Sequence, residues 1–277
     1  MGTDIAVVAP SGRMSPEAAD RVRKIVAAHY PGGDVRITFH PQCLARSGHF
    51  AGDDETRAAA FVEVANDPRY DAVWFARGGY GAYRMTELAL PRLDEAARRK
   101  TYLGYSDGGA LLAGLWARGI GAPAHGPLIQ DALRPGGEAA ILRALAWLTK
   151  RDPATLEPSL APGVRAAAFN LTILSSLVGT PLQPDLDGCV LMLEEVSEAM
   201  YRIDRMLGHV TSNEGVRRVA GLRLGRCSDI TPNDPDFGLT ESQVAQYWCA
   251  RSAIPWLGRA DIGHDAQNRI VPFGAAS

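Results

Sequence analysis

A serine between two glycines, six histidines and a pair of adjacent glutamates are the residues of this chain best equipped for chemistry. Gly104-Tyr105-Ser106-Asp107-Gly108 is a G-x-S-x-G run set between a strand-like segment, 103–105, and an apolar helix-like segment, 109–118. A tight strand-to-helix turn lifts a serine oxygen clear of a sheet and aims backbone N–H groups at a developing oxyanion, which suits acyl transfer. Ser and Asp are also favoured helix N-caps, where they accept from the free N–H groups of a first turn. The pattern alone leaves both roles open.

A serine hydroxyl is a poor nucleophile until a base removes its proton. Among the histidines, His29 falls on a helix-like stretch and His40 follows a strand, so both read as incidental. His49, His125 and His209 have polar or glycine-rich neighbours and stay open as bases. His264 stands in Asp261-Ile262-Gly263-His264-Asp265, where the glycine frees the backbone of a loop. The base in turn needs an orienting carboxylate. Glu194 and Glu195 end the apolar run Cys189-Val190-Leu191-Met192-Leu193, and acids there cost desolvation energy unless they have a partner. Arg202 and Arg205, on the segment that follows, are the alternative partners for these acids.

The elements that position such residues can be read from periodicity. Residues 5–9 form a short apolar run ending at Pro10-Ser11-Gly12, the pattern of a buried strand entering a turn. Residues 15–30 carry helical apolar spacing, and 35–39 alternate as a strand does. Residues 53–66 make a second helix, with acids early and Arg57 on its exposed side. A third strand over 70–75 is broken by Arg77-Gly78-Gly79-Tyr80-Gly81, and 103–105 makes a fourth. Alternation of strand and helix predicts an α/β fold, a parallel sheet covered by helices. Ligands of such sheets gather outside the carboxyl ends of the strands. The loops after Ala9, Ala76 and Tyr105 are therefore expected to share one cleft.

Residues 150–164 hold three prolines and little periodicity, and read as a linker. Beyond it the pattern changes, with strand-like runs at 190–193 and 220–224 and helix-like runs at 197–207 and 240–250. The expected organisation is a nucleophile-bearing N-terminal domain over 1–149, the linker, and a smaller α+β domain over 165–277 that carries the glutamate and the histidine.

Bulk composition narrows the class of function. The 277 residues are 46% hydrophobic and 22% charged, an ordinary globular profile. A formal net charge of -2 argues against nucleic acid as the main partner, and Arg217-Arg218 with Arg223 and Arg226 reads as a solvated face. Cys43, Cys189, Cys227 and Cys249 are widely spaced with no C-x-x-C pair, which supports neither a thiolate metal site nor a disulfide framework. The chain opens Met-Gly-Thr-Asp rather than with a basic segment and an apolar core, and no apolar stretch nears the ~20 residues of a bilayer span. The expectation is a cytoplasmic protein without a membrane partner.

An α/β-hydrolase also presents G-x-S-x-G in the order serine, acid, histidine, but that fold threads more strands before its nucleophile than the three found here. The better match is to another family. The segments Ala9-Pro10-Ser11, Gly48-His49-Phe50-Ala51-Gly52, Arg77-Gly78-Gly79-Tyr80-Gly81, Gly104-Tyr105-Ser106-Asp107 and His125-Gly126-Pro127 come first. Asn170-Leu171-Thr172, Leu193-Glu194-Glu195-Val196 with the run 201–207, Gly263-His264 with Asn268, and Pro272-Phe273-Gly274 follow. In this order, across nearly the whole chain from Ile5 to Gly274, they resemble the LD-carboxypeptidases (muramoyltetrapeptide carboxypeptidases), a family that includes the microcin C self-immunity peptidases. The resemblance implies a serine peptidase with Ser106 as nucleophile, His264 as base and Glu194, rather than Glu195, as its acid. It places oxyanion donors at the backbone of Asp107 and of the Gly78-Gly79 turn. It further implies a β-rich second domain, a homodimer, and no metal or cofactor. Two departures stand out. Phe169 sits where the family has glycine, at a pocket floor or domain interface, and the chain stops at Ser277, where relatives continue with a closing strand.

The function expected from residues and resemblance together is release of terminal D-Ala from the L,D-tetrapeptide of recycled cell-wall muropeptides. Ser11, Arg77, Gly78, Tyr80 and Arg202 are the substrate-binding candidates. Two other readings stand beside it. One is an amidase for peptidyl-nucleotide antibiotics, which needs an aromatic surface to stack a base, whereas the five tryptophans read as core. The other is a non-catalytic muropeptide-binding protein, against which the complete serine, histidine and glutamate set counts.

Overall fold

The computed structural model describes residues 2–275; Met1, Ala276 and Ser277, and with them the expectation about where the chain stops, lie outside the described residues. Strands and helices alternate through the first half: β1 (Thr3–Val8), α1 (Pro16–His29), β2 (Val35–Phe39), α2 (Asp54–Asn66), β3 (Ala72–Phe75), α3 (Ala82–Ala89), β4 (Thr101–Gly104), α4 (Gly109–Ala117), β5 (Ala122–His125) and α5 (Gly137–Lys150). The second half adds β6 (Arg165–Asn170), α6 (Leu171–Leu177), β7 (Val190–Val196), α7 (Met200–Ser212), β8 (Gly221–Ser228), α8 (Glu241–Ser252) and β9 (Trp256–Arg259). It ends with the two-residue strands β10 (Val271–Pro272) and β11 (Gly274–Ala275).

Local chemistry explains where these elements begin. Ser15 caps α1, its hydroxyl accepting from the Ala18 N–H, with Pro16 in the first turn where its missing N–H costs nothing. Asp53 caps α2 through the Thr56 N–H at 2.7 Å. Helix α4, Gly-Ala-Leu-Leu-Ala-Gly-Leu-Trp-Ala, is apolar on every side because every residue from Gly109 to Leu115 is buried.

The first sheet runs β10-β5-β4-β3-β1-β2, with β1 to β5 parallel and β10 antiparallel against β5. Since β1 pairs with both β2 and β3, the strand order reverses between β1 and β3, and the loops leaving those strands diverge into a crevice at their carboxyl ends. The parallel-sheet first domain is thus the one the sequence predicts. The second sheet runs β11-β6-β7-β8-β9, and its strands from β6 to β9 are parallel. The second domain therefore repeats the α/β logic of the first more closely than a segregated α+β layout.

The two sheets share one chain end. After β9 the chain returns to the first sheet as β10, pairing Val271 with His125, and then reaches the second sheet as β11. Residues 150–164 are tied down along the way. Leu156 bridges Ile270, and the buried Glu157 accepts from the Asp261 N–H at 3.1 Å. Phe169 lies at the junction, its ring packed on Phe273 with centroids 4.9 Å apart and close to Gly109 at the start of α4.

One expectation is corrected here. Arg57 is not on an exposed face of α2 but only 1% exposed. Its guanidinium donates to the carbonyls of Pro10 at 2.5 Å, Gly81 at 2.6 Å and Gly52 at 3.3 Å, and pairs with Asp54. A buried cation is tolerable when paired and fully hydrogen-bonded, and this one staples the loops after β1 and β3. Arg57→Ala is expected to cost about 3 kcal/mol of stability, because it strands the carbonyls that the buried guanidinium serves, while Asp54 keeps its pair with Arg84. Urea denaturation checks this, and a loss below about 1 kcal/mol would show that the loops hold without it.

Candidate active site

Ser106 opens the turn between β4 and α4 with φ +58°, a left-handed conformation that costs a non-glycine residue energy. The strain is accommodated by close packing. A Cβ on Gly78 would stand 2.9 Å from the Ser106 Oγ, so the glycine lets the β3 loop lie against the serine. The β1 and β3 loops are joined by the Gly12 N–H donating to the Gly78 carbonyl at 3.2 Å. Beneath them the buried Asp107 carboxylate accepts from the Ser11 hydroxyl at 2.5 Å and the Ala82 N–H at 2.7 Å. All three predicted loops thus meet at Ser106. The Asp107 N–H falls in the first turn of a short helical segment, where N–H groups have no intrahelical acceptor.

The second domain supplies the rest. Glu194, fully buried near the end of β7, has its Oε2 2.5 Å from His264 Nδ1. His264 Nε2 lies 3.0 Å from the Ser106 Oγ. A carboxylate can only accept, so Nδ1–H donates to Glu194 and Nε2 is left to accept from the serine hydroxyl. The second oxygen, Glu194 Oε1, is buried with no hydrogen-bond partner among the described residues. A carboxylate so poorly compensated is held in check chiefly by the imidazole. Burial alone would pull the His264 pKa down, but the charge and hydrogen bond of Glu194, with the charge of Glu195, outweigh it and leave the value raised. Glu195 turns elsewhere, accepting from Asn170 Nδ2, the Thr172 N–H and the Thr172 hydroxyl, each at 2.8 Å. Neither Arg202 nor Arg205 pairs with these acids among the described residues.

The loop carrying His264 is braced from several directions. Arg226 pairs with both Asp261 and Asp265, and Arg143 donates to the carbonyls of Ala266 and Asn268. Asn268 Oδ1 accepts from the Gly263 N–H at 3.2 Å and from His125 Nε2 at 2.9 Å. His125 is buried and its pKa is pushed down to about 4 by desolvation, so it is a neutral buttress. Tyr105 fills the space between the two histidines, 5.4 Å from the His125 ring and 4.9 Å from that of His264. His209, the other open candidate, bonds Ser175, and His49 packs edge-on against Phe50.

Ser106 and His264 open onto a cavity of about 230 Å³, also lined by Arg77, Gly78, Gly79, Tyr105, Asp131 and Arg134. Three of the substrate-binding candidates do not line it. Ser11 is fully buried, because its hydroxyl serves Asp107. Tyr80 stands outside, beside Phe50 and His49. Arg202 borders a different cavity with Glu198, which pairs with it. The reading above missed Asp131 and Arg134. They follow β5, a four-residue strand containing Pro123, whose only signal was the His125-Gly126-Pro127 segment at its end. Among the described residues no cluster of three metal-ligating side chains occurs, and no helix is long and apolar enough to cross a membrane.

A serine, a histidine and a carboxylate stand in hydrogen-bonded series on a two-domain α/β frame, an arrangement suited to acyl transfer. The chain belongs to the LD-carboxypeptidase family, whose N-terminal domain matches residues 5–126 and whose C-terminal domain matches residues 165–277. The murein tetrapeptide carboxypeptidase of Pseudomonas aeruginosa is 27% identical over 290 residues, covering 98% of this chain and 91% of its own. The crystal structure of muramoyltetrapeptide carboxypeptidase from Oxalobacter formigenes superposes with a TM-score of 0.79 at 25% identity, over 97% of this chain and 93% of that one. The microcin C7 self immunity protein MccF, solved with aspartyl sulfamoyl adenosine, shares the fold with a TM-score of 0.81 at 19% identity, over 99% of this chain and 92% of its own.

Proposed function

We propose that this chain is a serine LD-carboxypeptidase that releases terminal D-Ala from muropeptide tetrapeptides during cell-wall recycling in the cytoplasm. The observation that carries the reading is the Ser106–His264–Glu194 series, assembled across two domains at one cleft. Ser106 Oγ attacks the carbonyl carbon of the L-to-D bond as His264 Nε2 takes its proton. The oxyanion is held by the backbone N–H groups of Gly79 and Asp107, and one such donor is worth about 3–4 kcal/mol. The C–N bond breaks as His264 returns the proton to the leaving D-Ala amine. Water, deprotonated by His264, then cleaves the acyl ester, freeing the tripeptide and restoring Ser106. No step calls for a metal or cofactor, and family resemblance supports a homodimer, which light scattering tests.

A peptidyl-nucleotide amidase would need an aromatic face for a base. Trp74 and Trp147 are buried, and Trp116, Trp248 and Trp256 pack against the core, so the carboxypeptidase reading is preferred. The test compares D-Ala release from an L,D-tetrapeptide and from its D,D-pentapeptide counterpart. Release from the tetrapeptide alone is expected, and release from neither, or from both equally, would overturn the reading.

The base must be neutral to work, so activity should fall as pH drops through the His264 pKa. That value lies above the ordinary ~6.5 of histidine, which puts the acid limb of the kcat/KM profile above pH ~6.5. A limb more than one unit lower would show that Glu194 does not hold the imidazole in its charged form.

A further inference from the structure

The cavity beside Ser106 holds two guanidinium groups, and they are held differently. Both residues are exposed, and among the described residues Arg77 makes one side-chain hydrogen bond, to the Arg13 carbonyl at 3.1 Å. Arg134 is fixed through its Nε, which donates to Asp131 Oδ1 at 2.8 Å. Asp131 is itself buried and fully occupied, accepting from the Tyr105 hydroxyl at 3.2 Å and from the Leu128 N–H at 2.9 Å. Tyr105 in turn packs on His264. One edge of the Arg134 fork is thus locked to a carboxylate that is locked to the catalytic turn. Its two terminal nitrogens donate no hydrogen bond among the described residues, while the residue borders the cavity.

A planar fork with a free edge matches a carboxylate bidentately. Because Asp131 has already ordered the side chain, little rotamer entropy remains to be lost on binding. Arg77, held by one carbonyl, has more to lose. The cavity volume, about 230 Å³, lies below the ~300–1,000 Å³ typical of drug-sized ligands, which suits a single amino-acid residue. Resting on the carboxypeptidase reading, we infer that Arg134, held by Asp131, is the subsite for the free α-carboxylate of the residue that is released. The enzyme would then act only at a chain end, since an internal residue has no carboxylate to offer. Asp131 is a positioning residue in this scheme, and Arg77 stays at the rim.

The test measures binding, so that it stands apart from turnover. In a Ser106→Ala background, calorimetry compares the L,D-tetrapeptide with the same peptide ending in a carboxamide. The acid is expected to bind about 10–100-fold more tightly, the worth of a hydrogen bond to a charged group. Added Arg134→Gln should erase that preference, Arg134→Lys should keep part of it, and Arg77→Gln should leave it in place. Thermal melting confirms that each variant is folded, and the lysine variant keeps the charge beside Asp131 if the glutamine variant is not. Equal affinity for acid and amide, no binding of either, or a preference that survives Arg134→Gln would overturn the inference. A preference that follows Arg134 in a protein whose wild type releases no D-Ala would instead sink the proposed substrate and leave the carboxylate subsite standing.

Discussion

Ser106→Ala is expected to lower kcat for D-Ala release by about 10⁶-fold while leaving the fold and tetrapeptide affinity nearly unchanged. The hydroxyl is the only atom removed, and with it goes the acyl-enzyme route; residual rate comes from the oxyanion donors and from binding. The φ of +58° is equally costly for alanine, so stability should move by less than about 1 kcal/mol. Initial rates with calorimetric affinity decide the matter. A kcat within tenfold of wild type would mean that some other group attacks the peptide.

Glu194→Gln should be nearly as damaging, about 10⁴-fold in kcat, although it changes size hardly at all. The amide can present its NH₂ to His264 Nδ1, which then becomes an acceptor. That forces the proton onto Nε2, the nitrogen that must take the serine proton. The substitution also removes the charge that raises the His264 pKa, so the acid limb of any remaining activity should move down in pH. Glu195→Gln is the informative contrast. Glu195 is hydrogen-bonded to Asn170 and Thr172, so its loss should act on the seam between β7 and α6 more than on kcat. If the two glutamines reduced kcat equally, the assignment of the orienting acid to Glu194 would fail.

Much of the frame could be read because burial writes itself into periodicity. Strands β1, β3 and β7 are apolar runs of a kind that only a doubly covered sheet requires, and α1 and α2 announce themselves by caps and spacing. The unread elements lack such signals. Strand β6 is Arg-Ala-Ala-Ala-Phe-Asn, a poor strand former held extended by β7 and β11 on either side. Strand β5 contains a proline, and β10 and β11 have two residues each. For the site, the G-x-S-x-G turn was legible because the motif itself encodes geometry. The meeting of Ser106 with His264, 158 residues later, came from the family resemblance and not from local pattern, since it depends on how two sheets share the chain end. Arg57 misled because a helix face is assigned by pattern, whereas its burial is set by the carbonyls of Pro10 and Gly81 on two distant loops and of Gly52 just before its own helix. Arg134 gave no signal at all. An arginine beside Pro135 and two glycines looks like any solvated turn until β5 places it on the cleft.

The central claim is that the Ser106 hydroxyl, activated by His264, attacks the carbonyl of the L-to-D bond. A phosphonate ester analogue of the tetrapeptide, with tetrahedral phosphorus in place of that carbonyl and a good leaving group, tests it most directly. Peptide mapping by mass spectrometry should find one adduct per chain, on Ser106, forming in step with the loss of D-Ala release and failing to form in His264→Ala. Inhibition without an adduct, or an adduct on any other residue, would contradict it.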